Sequence, residues 1–191
     1  DHCFANHDRI AELNLYDSKA DRYFSGSPVP LAEELRTWAL GETEAISSVT
    51  YPRERPYYVE LSPEKTLPYE LETIEIDTCY NKIFTPEMVA GHWKMASQSL
   101  NSVILSQSMA IKIFGNAESA IGKHMTLMRR LNTSPESTPK TGGIVYTIQA
   151  VMKDIPLNNS LDFMQNIDML TVNDSEGLLQ SPKRHNMTGA N

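Results

Sequence analysis

The sequence predicts an α+β fold of one large domain or two small subdomains, and three observations support it. With 191 residues and 40% hydrophobic content, the chain is large enough to bury a core of its own. Residues 70–77 alternate apolar and polar side chains, as a half-buried strand does. Leu31, Leu35 and Trp38 follow Pro30 at helical spacing, which predicts an amphipathic helix.

The segment 103–156 has the clearest order of predicted elements. A short apolar strand at 103–105 leads to Ser106, whose hydroxyl is a suitable N-cap for the helix that follows. Gly115 supplies a left-handed stop for that helix, and Gly122 permits a second tight turn. These residues predict structural turns rather than catalytic chemistry.

A second strand ends this segment. Its alternating apolar residues are predicted to share one face: Ile144, Tyr146, Ile148, Ala150 and Met152. A turn-rich group follows the strand: Asp154, Pro156, Asn158 and Ser160. This group is typical of a self-capped strand end, and the alternative is a hinge or contact surface.

The remaining elements are predicted from shorter patterns. Strands are expected at 8–16, 45–50, 57–61 and after Asn166, and a short helical stretch is expected at 80–90. Residues 51–56, 93–102 and 132–143 are expected to be turns or loops, and 177–191 to be loose.

Motifs of common enzymes are missing from the sequence. There is no G-x-S-x-G elbow, no G-x-G-x-x-G and no Walker A stretch. The first residues include metal-ligand types, but no second pair has the spacing of a zinc site: Asp1, His2, Cys3, His7 and Asp8. We therefore expect no catalytic residue, no bound metal and no cofactor.

Charge and hydropathy limit the possible partners. The formal charge of −7 without a basic stripe argues against a nucleic-acid partner. No run of 18 apolar residues is present, so no membrane span is expected, and a chain that starts at Asp1 is expected to be part of a longer protein. Cys3 and Cys79 are either two free thiols or a disulfide pair.

Two ordered motifs resemble the periplasmic core domain of MacB-type, FtsX-like ABC transporter permeases. The first is V-I-L-S-Q-S-M-A-I-K-I-F-G-N-A-E-S-A-I-G-K at 103–123, and the second is Y-T-I-Q-A-V-M-K-D-I-P-L-N-N-S at 146–160. The stretch P-L-A-E-E-L-R at 30–36 resembles the first helix of that domain. Gln107 stands where the family usually has Glu, and Gln149–Ala150 replaces a small residue and Gly.

The resemblance implies a non-catalytic domain inserted after the first of four helices in the bacterial inner membrane and exposed to the periplasm. It implies a porter-like βαβ subdomain from residues 1–70 and 144–191, with an inserted mixed α/β subdomain at 71–143. The implied partners are the same or a paralogous permease subunit in a dimer, a separate ATP-binding domain or subunit on the cytoplasmic side, and a periplasmic adaptor. The turns at Ser106, Gly115, Gly122 and Asp154–Pro156 would then hold a rigid lever together.

Two other functions stay open at the level of sequence. A free-standing periplasmic module that binds a peptide, lipid or lipoprotein predicts a sizeable apolar pocket. A small hydrolase with an unrecognised site predicts buried ionisable groups that converge on one point.

Overall fold

A seven-stranded mixed β-sheet organises the part of the chain that the structure describes. The structure is a computed structural model, and the described residues are 7–24, 29–38, 41, 43–62, 64–99, 101–127, 143–156 and 164–172. The strands are β1 (Leu15–Asp17), β2 (Arg22–Phe24), β3 (Arg53–Ser62), β4 (Lys65–Ile76), β5 (Met88–Gly91), β6 (Ser102–Ser106), β7 (His124–Leu127), β8 (Ile144–Met152) and β9 (Met169–Val172). The helices are α1 (Val29–Trp38), α2 (Tyr80–Phe84), α3 (Trp93–Gln98) and α4 (Gln107–Phe114), with 3₁₀ turns at His7–Arg9 and Glu118–Ala120.

The strand order of the sheet is β5-β8-β6-β9-β4-β3-β7, and β7 also pairs with β8. The pairs β4–β9 and β6–β8 are parallel, whereas the other pairs in this sheet are antiparallel. The hairpin of β1 and β2 forms a separate two-stranded sheet. Among the described helices, none has the length and apolar character needed to cross a membrane.

Two apolar clusters pack against the sheet, and β6 contributes to both. Val103 and Leu105 belong to the first cluster, whereas Ile104 belongs to the second, as alternation along a strand requires. Helix α4 covers the first cluster, and helices α2 and α3 cover the second. All five β6 residues are buried, so this strand lies at the centre of the protein.

The prediction that five β8 residues share one face is wrong. Tyr146 and Ile148 belong to the first cluster, whereas Ala150 and Met152 belong to the second. The cause is a β-bulge, since Val103 pairs with Ile148 and the next β6 residue pairs with Ala150, which leaves Gln149 as the extra residue. One extra residue reverses which side chains face each side of the sheet.

The bulge in β8 requires a glycine at position 91 of the neighbouring strand, β5. Gly91 ends β5 with a φ of +68°, and a Cβ added there would lie 2.2 Å from the carbonyl oxygen of Gln149 and 2.8 Å from the Cα of Ala150. Both distances are too short for non-bonded heavy atoms. Glycine is therefore required by a close backbone approach as well as by its φ.

Several predicted elements agree with the structure. The amphipathic helix is α1, the alternating segment at 70–77 falls almost entirely in β4, and the strand predicted after Asn166 is β9. The predicted strand at 103–105 is β6, and the apolar helix after it is α4.

Other predicted elements differ from the structure, each for a physical reason. Residues 53–56 are strand rather than turn, and Pro56 lies opposite Glu70 of β4, next to the stretch 57–59 where the described residues of β7 pair with β3. The helix predicted over 80–90 ends at Phe84, because the residue before Pro86 avoids helical conformation and Thr85 has a φ of +39°. Part of the predicted loop at 93–102 is α3, whose Ala96 is fully buried.

The N-terminal strands are shorter than predicted. Of residues 8–16, only Leu15 and Tyr16 are in a strand, and 45–50 contributes one isolated bridge between Val49 and Ile76. Cys79 is half-buried, whereas Cys3, residues 177–191 and nearly all of 132–143 lie outside the described residues. The sheet contains strands from both sides of the expected boundary at residues 70 and 71, and the division into two subdomains stays a prediction.

We expect Gly91→Ala to lower the free energy of unfolding by more than Gly122→Ala does. Gly122 has a similar φ of +79°, but among the described residues no atom beyond its chain neighbours lies within 4 Å of the place where a Cβ would be, so we expect its replacement to cost the left-handed strain of about 1–2 kcal/mol. Gly91→Ala adds displacement of the bulge, about 1–3 kcal/mol more. Urea denaturation measures both variants, and equal losses would show that the bulge relaxes freely.

Candidate functional site

The first turn of α4 lies where three strands meet, and we call this place the α4 junction: Ser106, Ser108, Asp154 and Asp168. Ser106 is both the last residue of β6 and the N-cap of α4. Its backbone is extended, with φ −69° and ψ 152°, and its Oγ accepts a hydrogen bond of 3.3 Å from the Met109 N–H. The hydroxyl thus satisfies one N–H that the helix itself leaves without an acceptor.

Asp154 reaches the same helix terminus from the end of β8. Its Oδ1 accepts a hydrogen bond of 3.0 Å from the backbone N–H of Ser108. A carboxylate is favourable there because the first turn of a helix carries partial positive charge. The turn after β8 is therefore attached to α4 through this bond.

Asp168 connects the junction to β9 and β4. Its backbone oxygen accepts a hydrogen bond of 2.8 Å from the Ser106 N–H. Its own N–H donates to the Glu72 carbonyl at 2.9 Å, and its Oδ2 accepts from the Glu72 N–H at 2.9 Å. Sequence reasoning missed Asp168, although a lone acidic residue opening an apolar strand is an unusual pattern.

The other predicted motif residues have separate places. Gly115 is the C-cap of α4 with a φ of +87°, and its N–H donates to the Ile111 carbonyl at 2.9 Å. The Gly122 N–H donates to the Ile148 carbonyl at 2.8 Å, so this turn lies against β8. Pro156 is exposed just after the junction, while Asn158 and Ser160 lie outside the described residues.

A cleft of about 570 Å³ borders the junction and is polar. Its lining residues are Pro52, Glu54, Glu70, Glu72, Gln165, Asn166 and Asp168. Glu54 and Glu72 are direct cross-strand neighbours in the β3–β4 pair, an unfavourable arrangement for like charges. In the described part of the chain, no group of three or more His, Cys, Asp or Glu side chains is arranged to hold a metal ion.

The environment raises the pKa values of two of these carboxyl groups, those of Glu72 and Asp168. Burial raises the pKa of Glu72, and the negative charges of Glu54 and Asp168 raise it further. Burial also raises the pKa of Asp168, partly offset by the Glu72 N–H bond and the positive charge of Lys112. The cleft can therefore take up a proton or attract a cationic group, and its lining does not suit an apolar ligand.

Comparison with known proteins gives a structural similarity. No protein-family model and no curated protein matches the chain. A domain of a candidate permease protein from Porphyromonas gingivalis has a TM-score of 0.58 at 22% identity, over 83% of this chain and 59% of that chain. The periplasmic region of MacB from Actinobacillus actinomycetemcomitans has a TM-score of 0.47 at 16% identity, over 90% and 64% of the two chains. The extracellular domain of the noncanonic ABC-type transporter YknZ from Gram-positive bacteria has a TM-score of 0.43 at 14% identity, over 78% and 64%.

This chain therefore shares the fold of that permease domain from Porphyromonas gingivalis, since the similarity covers most of the chain. The predicted α+β fold is confirmed, because the described residues form a mixed β-sheet with a few helices in a fold similar to that domain. The chain spans 59% to 64% of the length of the three similar chains.

We expect Asp154→Ala to destabilise the protein by about 0.5–2 kcal/mol, because the Ser108 N–H loses its acceptor. Asp154→Asn keeps an acceptor oxygen and loses only the charge, so its cost should be about 0.3–1 kcal/mol. Lys153→Ala is the control, since the side chain of this neighbour forms an exposed pair with Glu87 and its backbone bond to Glu87 is kept, so stability should change by less than about 0.5 kcal/mol. Urea denaturation that ranks Lys153→Ala as the most costly change would contradict the capping role.

The acidic cleft predicts a pH-dependent gain in stability for Glu72→Gln. Because the pKa of Glu72 is raised in the folded state, folding is opposed when this group is ionised in both states, at neutral pH. The penalty falls as the pH falls through the folded-state pKa, and it disappears below about pH 4, where the unfolded chain is also protonated.

Glu72→Gln should therefore have a higher Tm than the unmutated chain at pH 7 and the same Tm as that chain at low pH. Glu60→Gln is the matched control, since Glu60 is exposed in β3 away from the cleft. Calorimetry between pH 3 and pH 8 measures the difference. A constant gain across this range would mean that ionisation of the buried Glu72 carboxyl beside Glu54 and Asp168 does not cause it.

Proposed function

We propose that this chain is a non-catalytic extracytoplasmic domain of an ABC transporter permease, exposed to the periplasm at the bacterial inner membrane. The observation that carries the proposal is the α4 junction. The two motifs that resemble the MacB-type family are 103–123 and 146–160, and they meet there through the bond from the Ser108 N–H to Asp154. Residues shared with a family motif thus form one structural unit, in a fold similar to that of a permease domain.

The proposed role is mechanical. ATP hydrolysis on a separate cytoplasmic domain or subunit would change the conformation of the membrane helices, and this domain would transmit that change to substrate release or to a periplasmic adaptor. A transmitting domain must move without deforming. Strand β6, buried on both faces and fixed at its end by Ser106 and Asp168, supplies the required rigidity.

We further propose that the domain works as a dimer with the same or a paralogous permease subunit. The expected subdomains at 1–70 with 144–191 and at 71–143 belong to this proposal. In it, Ser106, Gly115, Gly122, Asp154, Pro156, Asn158 and Ser160 act as structural turns and bind no substrate.

The acidic cleft bears on the two alternatives. A module for lipids or lipoproteins needs an apolar cavity, whereas this cleft is lined by carboxyl and amide side chains. A hydrolase needs convergent buried acids, but Glu54 and Glu70 are exposed, and Asp168 is bonded to the backbone of Glu72. These observations count against a lipid or lipoprotein module and against a hydrolase at this cleft, whereas the peptide-binding module stays an alternative.

The test uses the full-length parent protein with its ATP-binding partner in lipid nanodiscs. A spin label replaces Glu118, which is exposed in the short 3₁₀ turn, in a background where Cys3 and Cys79 are serine. We expect the label-to-label distance between two copies to differ between the nucleotide-free state and the state trapped with ATP and vanadate.

A second label at Glu60 provides the control within one copy. The distance from Glu60 to Glu118 should stay constant, because a lever moves as a rigid body. Identical distances between copies in both nucleotide states, with an active ATPase, would overturn the mechanical role. Absence of membrane-spanning segments of about 20 apolar residues in the parent gene would overturn the permease assignment.

A further inference from the structure

Asp77 is a buried carboxylate at the end of β4 that accepts hydrogen bonds from several parts of the chain. Only 4% of its surface is exposed. Its Oδ1 accepts from the Ser47 hydroxyl at 2.9 Å and from the Cys79 N–H at 2.9 Å. Its Oδ2 accepts from the Ser48 N–H at 2.7 Å and from the guanidinium of Arg36. A buried charge of this kind is tolerated because its oxygens are bonded and a cation lies beside it.

Arg36 is the member of this group that belongs to α1. Its guanidinium pairs with Asp77, and its Nε donates to the Ile46 carbonyl at 2.9 Å. The side chain of Arg36 is 29% exposed, so one side of the ion pair is in contact with water. Arg36 therefore links α1 both to the end of β4 and to residues 46–48.

The N-terminal arm, which we define as the described residues from 7 to 50, has its own arrangement beside the main sheet. The hairpin of β1 and β2 forms a separate sheet. Residues 48–50 pair with the end of β4 through bonds from the Thr50 N–H to the Glu75 carbonyl and from the Asp77 N–H to the Ser48 carbonyl. The backbone thus attaches one end of the arm to β4, and Arg36 attaches α1.

Helix α1 is less buried than α4. None of the α1 side chains whose burial is described is fully buried, and Trp38 is 75% exposed. Helix α4, in contrast, buries Met109, Ala110 and Ile113 in the first cluster. Apolar packing therefore contributes less to the attachment of α1, and a single ion pair contributes a larger share.

We propose that Arg36 and Asp77 form a latch that holds α1 against the end of β4, and that α1 opens when this contact breaks while the seven-stranded sheet stays folded. Elements with few buried apolar contacts are the ones that open locally. The latch goes beyond the transporter assignment and does not depend on it, because it is a property of this chain without a membrane or nucleotide.

Hydrogen exchange measured by mass spectrometry on the 191-residue chain tests the latch. In Arg36→Gln, we expect amides within residues 31–38 to exchange at least about tenfold faster than in the parent, since loss of the cation leaves the Asp77 charge buried and uncompensated. Amides of β6, β8 and β9 should change by less than about twofold. Asp77→Asn should accelerate the same α1 amides.

Two matched variants separate the latch from a general loss of charge. Arg55→Gln removes the pair with Glu75, which is comparably buried but lies within the sheet, with side chains 25% and 13% exposed. Arg9→Gln removes the exposed pair with Glu44. Neither control should accelerate α1 selectively.

If the α1 amides of Arg36→Gln exchange at the same rate as in the unmutated chain, the latch is wrong. It is also wrong if α1 and the sheet are accelerated equally, because the two would then open as a single cooperative unit. If Arg36→Gln does not fold, native-state exchange of the parent chain in low urea decides the question. A latch predicts that α1 opens with a smaller dependence on urea than β6 does, whereas the same dependence for both would reject it. All of these outcomes are independent of whether the chain belongs to a permease.

Discussion

The structure depends on how the backbone groups around the first turn of α4 find hydrogen-bond partners. A helix that starts directly from a buried central strand presents N–H groups with no acceptor of their own. Ser106 supplies one acceptor from within the segment, and Asp154 supplies another from the end of β8. Asp168 then bonds the Ser106 N–H, so β6, β8 and β9 are brought to one point. Strand order and helix position are thereby fixed together.

The buried Asp77 and the half-buried Asp168 differ in how far their neighbours compensate the carboxylate charge. The two oxygens of Asp77 accept hydrogen bonds from four described donors, one of which is the guanidinium of Arg36. Asp168 has one backbone donor on its side chain and lies among other carboxylates, and its pKa is raised by burial. The charge of the first carboxylate is therefore compensated by its partners, whereas the folded state favours protonation of the second. The difference comes from their neighbours and not from burial alone.

Local signals in the sequence predicted the elements that depend on nearby residues. The cap at Ser106 and the stop at Gly115 act within one helix turn, so β6 and α4 could be identified without knowing the sheet. The β8 bulge could not, because Gln149 becomes the extra residue only when β6 is its partner. The partner of Asp154 is 46 residues away, and the hydrophobic site of Ala96 is formed by distant strands, so neither could be identified from local spacing.

The bulge changes which β8 side chains face each apolar cluster. With strict alternation, Tyr146, Ile148, Ala150 and Met152 would all face the same cluster. The extra residue lets the first half of β8 pack Tyr146 and Ile148 beside α4, and lets Met152 pack on the other face beside α2 and α3. Because both clusters then share one continuous strand, displacement of either face displaces the other. The described part of the N-terminal arm adds no strand to the seven-stranded sheet. It packs the half-buried Ile10 and Val49 against the second cluster and adds the polar contacts of Arg36 and residues 48–50, so we expect the arm to be less rigid than the sheet.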